Sequence, residues 1–121
     1  MKFMVLMAEG DHFANWDRAS EETRQRVYAD FDAFSTAVAE RGTIVAGEAL
    51  DHPRRARTVQ PRSQSGGDRP VTEGPYAETV EQLGGFFLID VASFEDAVEL
   101  AKLLPREYLL EVREVLEVET G

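Results

Sequence analysis

The chain has 121 residues, 43% hydrophobic and 30% charged, with no cysteine and five prolines, and its 13 Lys and Arg against 23 Asp and Glu leave a formal charge of -10 at pH 7. That size suffices for one buried core without metal or disulfide staples. The acidity disfavours nucleic acid and anionic membrane as partners, and the absence of cysteine removes disulfides, thiolate nucleophiles and thiolate metal sites.

The apolar run over residues 3–7 is too short for a secretion signal or a membrane span, so a single cytoplasmic domain over residues 1–121 is expected. Residues 2–8 are apolar on both registers, Phe3, Val5 and Met7 on one and Met4, Leu6 and Ala8 on the other. That is the pattern of a strand covered on both faces. Ser20, followed by Glu21 and Glu22, starts a helix, and Gly42 stops it. Between them Val27, Phe31, Phe34 and Val38 draw one apolar stripe. Residues 43–50 open with β-branched Thr43, Ile44 and Val45, and Gly47 marks a bend or a close approach in that strand.

Composition then changes. Residues 51–70 hold five of the 13 basic residues against two acids, a net +3 that leaves -13 on the rest of the chain. An exposed hairpin is predicted there, with residues 57–60 and 71–72 as short strands and Ser65-Gly66-Gly67-Asp68 as the turn. Residues 85–91 form a second strand apolar on both registers. Ser93 caps a helix with Asp96 three residues on, Ala97, Val98, Ala101 and Leu104 form its buried face, and Pro105 ends it. The last strand is predicted over residues 111–119. Its register of Val112, Glu114, Leu116 and Val118 makes Glu114 either an acid turned inward or the sign of a bulge.

The order β-α-β, hairpin, β-α-β implies an α+β, ferredoxin-like βαββαβ fold with an inserted hairpin, the two doubly apolar strands at the centre of the sheet. Two helices cover one sheet face. The other requires a partner, and a homodimer is expected.

At Val71-Thr72-Glu73-Gly74-Pro75-Tyr76-Ala77-Glu78-Thr79, followed by Glu81-Gln82-Leu83-Gly84-Gly85-Phe86-Phe87, the chain resembles the YCII-related family, specifically its DGPF-motif branch. Trp16 before Ser20-Glu21-Glu22, Val45-Ala46-Gly47-Glu48 and Glu111-Val112-Arg113 extend the likeness over nearly the whole chain. The resemblance implies a dimeric α+β barrel. It also suggests a regulatory association, since some members lie beside extracytoplasmic-function sigma factors. The motif acid is Glu73 in place of Asp, and the aromatic is Tyr76 in place of Phe. Other YCII-like proteins pair a His of the first helix with an Asp before the closing Pro; register puts Asp30 and Leu104 at those positions, so that dyad does not carry over.

Gly74 and Pro75 make a rigid turn able to hold Glu73, Glu78 and Tyr76 near one place. Two neighbouring carboxylates in a dry cleft split their pKa values and supply an acid or base; the competing reading has them capping backbone NH groups while Tyr76 fills an interface. Asp30 borders the apolar stripe as a second candidate acid, or simply pairs with Arg26. Trp16, Phe34 and the other aromatics are core first and pocket walls second. Glu48 and Arg113 complete the candidate binding residues. His12 and His52 sit in polar segments without a third ligand, and no dinucleotide, Walker or serine-elbow motif occurs, so neither metal nor cofactor is expected.

Two functions follow. One is a homodimeric small-ligand-binding or regulatory protein whose Gly-Pro turn is architectural. The other is a cofactor-independent enzyme performing proton abstraction, elimination or isomerisation on a small organic substrate near the dimer interface, with Glu73, Glu78 and Asp30 as acids and bases.

Overall fold

A computed structural model describes residues 1–75 and 81–118. It is mixed α+β: β1 (Lys2–Gly10), α1 (His12–Arg18), α2 (Glu21–Arg41), β2 (Gly42–Ala49), a 3-10 turn (Pro53–Arg55), β3 (Arg57–Val59), β4 (Val71–Glu73), β5 (Glu81–Val91), α3 (Phe94–Ala101) and β6 (Leu109–Glu114). Four strands form an antiparallel sheet in the order β2-β5-β1-β6, and β3 and β4 pair separately as the hairpin arm.

The two strands apolar on both registers are the central ones. Phe3, Val5 and Met7 of β1 and Ile89 and Val91 of β5 are buried in one core with Phe34 and Val38 of α2 and Ala97, Leu100 and Ala101 of α3. The other register, Met4, Leu6, Phe86 and Leu88, stays half-buried because no helix lies over it. Helix α2 starts where Ser20 Oγ accepts from the Thr23 NH at 3.1 Å. It ends at Gly42 for a reason other than a left-handed cap. The backbone there is extended, at φ 174, and a Cβ would lie 2.0 Å from the Asp90 carbonyl oxygen.

Strand β2 is irregular between Ile44 and Ala46, and a Cβ on Gly47 would fall 2.5 Å from the Phe87 ring. Both the bend and the close approach are therefore present. The hairpin also forms, turning through Gly66 and Gly67 at φ 88 and 95.

Four departures from the expected elements are larger than two residues. Residues 12–18, read as a polar connection, form α1. Strand β5 begins at Glu81, four residues early, because its register against β1 slips past Gly84 and so accommodates the polar start. Helix α3 stops at Ala101, and 3-10-type bonds from Leu103 NH to Leu100 O and from Leu104 NH to Ala101 O carry the chain to Pro105. Strand β6 runs from Leu109 to Glu114, not over residues 111–119. Leu110 and Val112 face the core, whereas Leu116 and Val118 are 77% and 76% exposed. Glu114 is thus neither turned inward nor at a bulge; it ends the strand. No helix among the described residues is long and apolar enough to cross a membrane.

Candidate functional site

At the end of β1 the chain turns sharply through Asp11, at φ 53 and ψ 33, into α1. Asp tolerates this left-handed conformation better than most side chains. The turn lays α1 along the sheet with His12, Phe13 and Trp16 inward and Ala14, Asn15, Asp17 and Arg18 in solvent. Between α1, α2 and the sheet lies a pocket of about 410 Å³, a volume typical of small-molecule sites. Its walls are His12, Phe13 and Trp16 from α1, Val27, Tyr28 and Phe31 from α2, residues 47–50 of the β2 edge, Gly84, Phe86 and Phe87 from β5, and Tyr108. A second hollow, about 510 Å³, lies between Met1, Lys2 and residues 114–118. Its rim is the exposed tail after β6, and no aromatic side chain lines it, so the first pocket is the candidate site.

One polar side chain on that pocket's wall is His12, backed by Glu9, which is not itself on the wall. His12 Nδ1 lies 3.3 Å from Glu9 Oε2, with side chains only 14% and 13% exposed. A carboxylate only accepts, so the proton shared with Glu9 is on Nδ1, and Nε2 makes no bond to Glu9. The imidazole rests on the β5 irregularity: a Cβ on Gly84 would come 2.9 Å from His12 Cδ2 and Nε2. Glycine at that position makes room for the ring. Tyr108, placed by the turn in which its NH donates to the Pro105 carbonyl at 3.1 Å, has its ring centre 5.5 Å from that of His12. Burial, and then the negative charges of Glu9 and Glu107, push its phenol up from 10.0 to about 12. At neutral pH it is a hydrogen-bond donor.

The remaining walls are rings in mutual contact. Phe34 packs on Phe87 at 4.8 Å and Phe31 on Phe87 at 6.2 Å. Phe13 stands between the two histidines, 4.8 Å from each, and His52 Nδ1 accepts from the Arg54 NH at 3.1 Å to hold the 3-10 turn.

Of the residues singled out from sequence, Trp16 and Glu48 line this pocket. Phe34 is fully buried and backs the pocket through Phe87. Asp30 accepts from Arg26 Nη1 at 3.1 Å, and Arg26 also pairs with Glu107; Asp30 is not on the pocket wall. Glu73 ends β4, exposed and opposite Arg57. Arg113 pairs with Glu111 on the exposed surface of β6. Tyr76 and Glu78 lie outside the described residues. Sequence reasoning missed Glu9 and Tyr108 and weighed His12 only as a metal ligand. The signal for Glu9 and His12 was present as Glu9-x-x-His12 followed by Phe13 and Trp16, an inward face at i, i+1 and i+4. Among the described residues no three His, Asp or Glu side chains meet as a metal site would require.

The family profile described as YCII-related domain matches residues 1–119. An uncharacterized protein of Rhizobium meliloti (strain 1021), R00369, is 37% identical over 83 residues, which is 69% of this chain and 64% of that protein, so the chain covers just under two thirds of its relative's length. With its residues matched almost end to end, the chain belongs to the YCII-related family.

Proposed function

We propose that this protein binds a small, flat, largely apolar molecule carrying one carbonyl or hydroxyl oxygen and moves a proton on it with His12. The half-buried Glu9–His12 pair, with His12 on the wall of an aromatic-lined pocket, carries this reading. His12 Nε2 takes a proton from the carbon beside a carbonyl, the electron pair moves into the new carbon–carbon double bond, and the oxygen that gains charge accepts from the Tyr108 hydroxyl. Glu9 holds the imidazole in the required tautomer and stabilises the imidazolium, as the carboxylate does in a Ser-His-Asp triad. In a substrate with a carbon–carbon double bond β,γ to the carbonyl, returning the proton at the γ-carbon completes an isomerisation.

The strand order β2-β5-β1-β6 supports a ferredoxin-like arrangement. The uncovered register of Met4, Leu6, Phe86 and Leu88 supports a second copy packed there, as in a dimeric α+β barrel. The Glu73-Gly74-Pro75-Tyr76 turn supports the DGPF branch.

β-Tetralone, a flat bicyclic ketone with acidic carbon-bound protons, tests the chemistry. In deuterium oxide the protein should catalyse deuterium entry beside the carbonyl, His12→Gln should abolish this, and Glu9→Gln should slow it by roughly 10²–10⁴-fold, the usual span of acid–base assistance. Binding of β-naphthol without any catalysed exchange would instead make the protein a ligand-binding or regulatory module.

A further inference from the structure

We infer that Arg24 is a positioning residue that latches α1 over the pocket, and that α1 opens about its two ends to admit ligand. The inference rests on this pocket being the binding site. Helix α1 has seven residues and none of them is fully buried. A helix that short does not hold itself together in water and depends on its ties. At its start the tie is Asn15 Nδ2 donating to the Gly10 carbonyl at 3.1 Å. At its end Arg24 Nη2, reaching from α2, donates to the carbonyls of Trp16 at 2.8 Å and Asp17 at 3.4 Å. The guanidinium carbon also sits 5.1 Å from the Trp16 ring centre. One side chain therefore bonds the Asp17 carbonyl, adds a second bond to the Trp16 carbonyl, which already accepts from the Ala19 NH at 3.1 Å, and pins the ring beside them.

Both ends of α1 are joints. Asp11 is the one non-glycine residue with positive φ among the described residues, and Ala19 is extended at φ -64 and ψ 140. The latch is also incomplete. Arg24 Nε is buried with no hydrogen-bond partner among the described residues, a loss that hydration on opening would repair. The closed state therefore carries a built-in penalty, and α1 belongs to the low-stability end of the molecule. Because His12 and Trp16 both ride on α1, closing it completes the acid–base pair and the aromatic wall in one movement.

The chain has a single tryptophan, Trp16, so its fluorescence reports α1 without any label. The test is hydrogen exchange of the α1 and α2 amides together with acrylamide quenching of Trp16, in the wild type and in Arg24→Gln, all without ligand. Wild-type α1 should exchange faster than α2, through an opening insensitive to low denaturant. Arg24→Gln should speed α1 exchange by roughly tenfold, as expected for a lost charge-assisted hydrogen bond, and raise Trp16 quenching while α2 exchange stays unchanged. Equal protection of α1 and α2 in the wild type, or unaltered exchange and quenching in Arg24→Gln, would overturn the latch. Should Arg24→Gln fail to fold, Arg24→Lys keeps the charge but loses the fork, and a wild-type result from it in both readouts would overturn the latch equally. Failure of β-naphthol to bind the wild type would remove the pocket reading while leaving these ligand-free results standing.

Discussion

At the scale of single residues, Tyr108 links the site to stability. Its phenol holds its proton up to about 12 when folded, against an ordinary 10.0. The folded chain therefore binds more protons than the unfolded one between those values. The stabilisation is complete below pH 10 and is lost as pH rises through 12. Urea unfolding of the wild type should show an alkaline fall in this window that Tyr108→Phe lacks; identical pH profiles would mean that the burial of this phenol has been misjudged. The glycines make a second residue-scale prediction. A Cβ on Gly47 would sit 2.5 Å from the Phe87 ring, which itself packs on Phe34. Gly47→Ala should destabilise by about 1–3 kcal/mol through overpacking, measured by the urea midpoint. Gly84→Ala should instead show its effect on His12, by displacing the ring that a Cβ would meet at 2.9 Å; a histidine resonance unmoved in NMR spectra would contradict that contact.

At the scale of elements, Ser20 Oγ supplies the NH of Thr23 with its partner, so Ser20→Ala should cost about 1 kcal/mol, seen in thermal melts. The long elements were legible because each carries several independent signals. Helix α2 has an acid-rich start, a cap and a four-residue stripe, and β1 and β5 have apolar side chains on two registers. Helix α1 was not legible because its three inward rings are the whole of its pattern and Asp11, although a good cap residue by type, enters the helix in the left-handed conformation without a side-chain cap bond. The end of β6 was missed because Leu116 and Val118 continue the alternation after the strand itself has left the sheet. The site suffered with α1. Glu9 lies one residue before the end of β1, His12 opens a helix too short to show a period, and Tyr108 follows Pro105; the turn at Asp11, the register slip at Gly84 and the turn after Pro105 bring the three together. Trp16 and Glu48 stand out through the family resemblance, in the segments around residues 16–22 and 45–48, and not through a helix or strand period. The Asp30 carboxylate, which the stripe placed at the edge of the core, is held by Arg26.

At the scale of the whole molecule, the sheet has one face sealed by α2 and α3 and one face of half-buried Met4, Leu6, Phe86 and Leu88. Under our reading a second copy covers that face, and light scattering should report a dimer that Leu6→Glu dissociates into folded monomers. A wild-type monomer would remove the barrel. By the proposed function, the pocket between α1, α2 and the sheet binds a flat apolar molecule with its oxygen at His12. A crystal structure with β-naphthol tests this. The naphthol ring should lie between Trp16, Phe31 and Phe87 with its oxygen in hydrogen-bond reach of His12 Nε2. Naphthol held elsewhere, or seated there with its oxygen turned away from His12, would contradict it.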